Sequence, residues 1–152
     1  MREIVFRGKR LKPVTLVSQW IYGNYVFKAD NSLPGLSKHF IVVHDGFGVS
    51  QWIEVEPDTV GQYTGLLDKN GRRIFEGDIV RVDLEEPTLA CLVGEIYFTN
   101  GCYMINPVSR ALSLYAYHHY CTVIGNIFDN PELLEEEQHH VLTHLRRRNY
   151  QR

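Results

Sequence analysis

Within residues 60–82 glycines recur at 61, 65, 71 and 77, with Val60, Tyr63, Leu66, Leu67, Ile74, Phe75, Ile79, Val80 and Val82 between them. A helix does not sustain glycine at that frequency, because each one costs roughly 1 kcal/mol relative to alanine. Short apolar runs broken by turn residues suit half-buried strands instead. The stretch predicts two strands joined by the turn Asp68-Lys69-Asn70-Gly71. Asn and Gly there tolerate left-handed backbone, and the Asp side chain accepts bonds from the amides that follow. Glu76-Gly77-Asp78 predicts a sharp corner of the kind that feeds strands in small barrels, with residues 79–82 leaving it as a strand.

The flanking chain carries the same signature. Residues 1–11 predict a short, partly exposed strand. Residues 16–27 predict a longer aromatic one, bent at Gly23, with Trp20, Tyr22 and Phe27 assigned to the core. A turn-rich loop at 30–37 precedes strands at 39–43 and 49–55, joined through Asp45-Gly46-Phe47-Gly48. Glu56-Pro57-Asp58-Thr59 marks a seam, since proline cannot donate to a ladder. Beyond an acidic loop at 83–87, strands are expected at 89–98 and 102–105 around Asn100-Gly101, with Asn106-Pro107 as a break. Residues 112–128 read as strand on their aromatic and β-branched content, although Ala111, Leu112 and Leu114 also permit a helical turn. Gly125 is expected to bend that strand.

The tail changes character. Asn130-Pro131-Glu132 is a helix start, with Asn as cap and Pro where a missing amide does no harm. Leu134, Val141, Leu142 and Leu145 then recur at helical spacing, and Arg146, Arg147 and Arg148 complement the negative end of the dipole. The expected fold is mainly β. A strand set at 1–56 and a small SH3-like or related barrel at 57–130 form one β domain, and a helix at 131–152 offers Leu134, Val141, Leu142 and Leu145 for oligomerisation.

Composition removes several function classes. A chain of 152 residues, 44% of them apolar, can bury one core or two small ones that share a wall. A formal charge of -2 supplies no global attraction to phosphate. Cys91, Cys102 and Cys121 show no C-x-x-C spacing, and the first residues lack the apolar run of a signal peptide, so reduced thiols in the cytoplasm are expected. No window has the length and apolarity of a membrane span.

Candidate chemistry is thin. His140 and His144 share a helical face but lack further ligands. His118 and His119 point to opposite faces if residues 112–128 are a strand, whereas His119 and Cys121 then share one. Glu76, Asp78 and Glu95 would line a groove only if their strands are neighbours, and residues flanking a corner glycine more often serve the backbone. No glycine-rich phosphate loop and no G-x-S-x-G is present. Accordingly no catalytic residue, cofactor or metal ligand is assigned. The most coherent binding surface combines Tyr63 with Arg72, Arg73 and Arg81. Arg7, Lys9 and Arg10 on the first strand and a second stacking ring, Tyr22, add to it. Against exposure of Tyr63 stands its place between two glycines, where an aromatic ring commonly covers the backbone from the core side.

Several of these segments together resemble the YopX family, small proteins encoded by bacteriophages and prophages. The matching residues are Arg2-Glu3-Ile4 and Phe6-Arg7-Gly8-Lys9, Trp20-Ile21-Tyr22-Gly23, and Pro57-Asp58-Thr59-Val60-Gly61-Gln62-Tyr63-Thr64-Gly65-Leu66 with Asp68-Lys69-Asn70-Gly71. Ile74-Phe75-Glu76-Gly77-Asp78-Ile79-Val80 and Val123-Ile124-Gly125-Asn126-Ile127-Phe128-Asp129-Asn130-Pro131-Glu132-Leu133 complete the match. The resemblance implies a phage or prophage protein in the bacterial host cytoplasm, a homo-oligomer, and no established catalytic residues. The expected function is therefore a non-enzymatic accessory protein that binds a host or phage macromolecule, with no membrane association. The alternatives are a nucleic-acid-binding module using the 60–82 hairpin and, third, a metal-dependent enzyme.

Overall fold

The computed structural model describes residues 3–15, 17–29, 37–84, 92–107 and 111–135. The chain is mainly β, with two antiparallel sheets and a short helix. It divides into two compact units, Met1–Gly65 and Leu66–Arg152.

The first unit contains β1 (Phe6–Lys9), β2 (Trp20–Ala29), β3 (Ser37–His44), β4 (Ser50–Glu54) and most of β5 (Gly61–Leu67), in the order β4-β3-β2-β1-β5. Period-two alternation sets its core: Tyr25, Ile41 and Ile53 align across three strands. They pack with Ile21, Val55, Phe6, Val43 and Val60. Gly23 is required by close approach, because a Cβ there would lie 2.3 Å from the Val42 carbonyl oxygen. The β3–β4 turn forms as its sequence dictates. Gly46 and Gly48 take positive φ, and the Asp45 carboxylate accepts the Phe47 and Val49 amides at 2.8 and 3.1 Å. Residues Pro57–Thr59, where the sequence marks a seam, form one 3-10 turn tied back to β1. Thr59 Oγ1 accepts the Lys9 amide at 2.8 Å, and the Glu56 amide donates to the Lys9 carbonyl at 2.8 Å.

The second unit begins with the end of β5 and the turn into β6 (Arg73–Phe75). β7 (Asp78–Val82), β8 (Leu92–Thr99), β9 (Cys102–Pro107), β10 (Leu112–Ser113) and β11 (Cys121–Asn126) follow, in the order β10-β9-β8-β7-β11. Its core is Ile74, Val80, Val82, Ile96, Ile105, Leu112, Leu114, Cys121 and Val123. Asn100 and Gly101 both have positive φ, as a two-residue hairpin requires. Gly77, at φ 77°, makes the expected corner. Its amide donates to Ile96 and its carbonyl accepts from Ile127. The expected bend at Gly125 is a bulge in the β7–β11 register.

Three expectations are corrected. Tyr22 and Phe27 are 48% and 54% exposed, and Trp20 is half-buried, so the aromatic content of β2 is not a measure of burial. Residues 112–128 are not one strand: α1 (Leu114–Tyr117) and a 3-10 turn at His118–Tyr120 intervene, because burying Leu114 and returning the chain to β7 needs a compact crossing. Asn106-Pro107 does not break β9. The pair lies opposite Glu95 and Gly94 at the strand end, where proline's missing donor is tolerated. The second sheet ends at β10 on one side and β11 on the other, an open strand order.

Candidate binding surface

The 68–71 turn is organised by one carboxylate. Asp68 Oδ1 accepts the Asn70 and Arg72 amides at 2.8 and 2.9 Å, and Oδ2 accepts the Val123 amide at 3.0 Å. Burial alone would push this carboxyl up. The three amides and the Arg72 guanidinium outweigh it and hold the group below the usual carboxylate range. The Lys69 amide donates to Cys121, and Arg72 Nη1 to the Val123 carbonyl at 3.4 Å, so the turn is pinned to β11.

Arg72, Arg73 and Arg81 are exposed. Arg81 Nε pairs with Asp83 at 3.1 Å, and Lys69 Nζ reaches the other oxygen of the same carboxylate at 2.6 Å. Tyr63 lies in the first unit and is only 6% exposed, so its ring is a packing group rather than a stacking platform. Arg7, read as part of the same surface, is 4% exposed.

The carboxylates divide their roles. Asp78 is buried and accepts the Phe75 amide at 2.8 Å, closing the Gly77 corner. Glu95 is half-buried; its desolvation and then the charge of Glu76 raise its proton affinity. Among the described residues no group of three His, Cys, Asp or Glu is placed to hold a metal ion. The shared strand face of His119 and Cys121 does not exist. His119 sits in the 3-10 turn against His118 and Tyr120. The His118 ring meets the Leu67 carbonyl through Nδ1 at 2.8 Å. Cys121 is buried and donates to the Tyr117 carbonyl, and burial, helped by the charges of Asp68 and Asp83, pushes its thiol up to about 12. That excludes a ready nucleophile. Residues 132–135 are helical and Leu134 is half-buried. Val141, Leu142 and Leu145, with His140, His144 and Arg146–148, lie outside the described residues.

A different surface stands out in the first unit. The sheet face opposite Tyr25, Ile41 and Ile53 carries Trp20, Tyr22, Asn24 and Val26 from β2. Lys38, Phe40, Val42 and His44 come from β3, and Ser50, Trp52 and Glu54 from β4. Trp52 is 56% exposed and meets Phe40 edge-on at 5.8 Å. The Arg7 guanidinium lies 4.8 Å from the Trp20 ring centre on the same face. His44 is held between Asn24 and Ser50. Sequence reasoning singled out Tyr22 but missed Trp52 and Phe40. Their signal was phase: each occupies the alternation shared with Ser50 and Glu54, or with Lys38 and His44.

Among solved structures, the crystal structure of protein EF1440 from Enterococcus faecalis is similar. It covers 88% of this chain and 99% of its own, at 28% identity and a TM-score of 0.49. No curated protein matches. The family model described as YopX protein matches residues 21–135, more than half of the chain, and the chain belongs to the YopX family.

Proposed function

We propose that this protein is a non-enzymatic binding module, encoded by a phage or prophage, that works in the bacterial cytoplasm as a homo-oligomer and holds a host or phage macromolecule. The observation that carries the reading is the pair of exposed rings Tyr22 and Trp52 on the first sheet, with half-buried Phe40 against Trp52, where folding alone favours polar residues. The arginines of the 60–82 region support binding less well, since Asp83 sits among them and Tyr63 is buried. The finer architectural reading, an SH3-like unit, belongs to the same proposal. It is supported by a β7–β10 meander whose continuation, after helical turns, pairs back on β7 as β11.

The test is capture from phage-infected cells with wild-type protein and with Tyr22→Glu and Trp52→Glu variants. The expected result is a macromolecule retained by the wild type and lost from both variants. An unchanged bound set refutes the reading. For assembly, light scattering at micromolar concentration should report more than one chain per particle, and a strict monomer would remove that half of the proposal.

A further inference from the structure

We infer that the occupant of this sheet face is single-stranded nucleic acid, with bases stacking on Tyr22 and Trp52 and phosphates meeting the lysines beside them. The inference rests on the binding-module reading and names its ligand.

Charge supplies the first argument. Among the described residues, the strand positions on this face place Lys28 and Lys38 side by side near the aromatic rings, with the Glu54 carboxylate next to Lys38. This end of the face therefore carries two cations to that one carboxylate, although the whole chain is net negative. Lys28 and Lys38 are direct cross-strand partners. Like charges so placed oppose pairing, and Glu54, 3.6 Å from Lys38, relieves only part of that. An anion between the lysines relieves the rest. Space for one is present: an open pocket of about 390 Å³ is lined by Lys28, Ala29, Lys38 and Phe40.

Ring placement supplies the second. Trp52 lies across β3 from Asn24, and Tyr22 is two residues along β2 from Asn24, so the rings stand on different strands of one surface. An extended chain whose flat groups alternate with charges matches rings interleaved with cations. Every base offers a π face, whatever the sequence. The bases of a duplex are stacked on one another and cannot use these rings.

The test is fluorescence anisotropy of labelled oligothymidylate and oligouridylate, each about 20 nucleotides, with the full chain. Binding is expected at about 50 mM salt and should weaken steeply by about 200 mM. Trp52→Ala or Tyr22→Ala should each weaken it about tenfold, and Lys28→Glu with Lys38→Glu should abolish it. Arg72→Ala with Arg81→Ala should leave it unchanged. Quenching of wild-type tryptophan fluorescence by the oligonucleotide is expected as well, and it needs no variant to fold. Absence of binding at low salt overturns the inference, as does binding indifferent to Trp52 and the two lysines. If infected-cell capture yields a protein through Trp52 while neither oligonucleotide binds, the inference falls and the binding-module reading stands. If the capture variants also change nothing, both fall.

Discussion

A single carboxylate can decide whether a turn belongs to the core. Asp68 accepts three main-chain amides from two segments, two on one oxygen and one on the other, so an asparagine keeps one acceptor but sets an NH2 donor against the amide on the other side and removes the charge. Asp68→Asn should destabilise the protein by about 3 kcal/mol, read from the midpoint of urea unfolding. Because folding lowers the proton affinity of Asp68, its contribution is present above the ordinary carboxylate value and is lost as pH falls through the lowered one. Glu95 has the opposite sign. Its folded form favours the proton, so its contribution is greatest below the ordinary value and is lost as pH rises through the raised one. Glu95→Gln should therefore raise the melting temperature at neutral pH and change it little near pH 4. A lower melting temperature at neutral pH would contradict this.

At the scale of elements, local chemistry was legible and tertiary demand was not. Asp45-Gly46-Phe47-Gly48, Asp68-Lys69-Asn70-Gly71 and Asn100-Gly101 each contain what their turns need, so sequence alone places them. Gly23 was legible as a special position, but its reason lies in the neighbouring strand. Gly23→Ala must displace the Val42 carbonyl and should cost about 2 kcal/mol or more, measured by thermal or urea unfolding. The helical turns of residues 114–120 were only the lesser reading because their aromatic content favours strand, while the burial of Leu114 decides otherwise. On the candidate surface, the size of Tyr22 pointed inward and its phase pointed outward; phase was the better guide.

For the whole molecule, each compact unit has its own buried cluster: one centred on Ile21, Ile41 and Val55, the other on Ile74, Val80, Val82, Ile96 and Ile105. Ile41→Ala and Ile96→Ala should each cost about 2–5 kcal/mol. In native-state hydrogen exchange, each should reduce amide protection in its own unit before the other. Uniform loss across both units would contradict the division. Strand order was beyond the sequence, because nothing in residues 6–9 announces partners near residues 20 and 61.

That order has a consequence for vectorial synthesis. β1 leaves the ribosome first, yet it lies between β2 and β5, so one of its edges stays open until residues 61–67 emerge. At about 5–20 residues per second the delay is roughly three to twelve seconds. Throughout it the nascent chain exposes an unsatisfied ladder. Translation rate, rather than sequence alone, thus enters into how safely this protein reaches its fold.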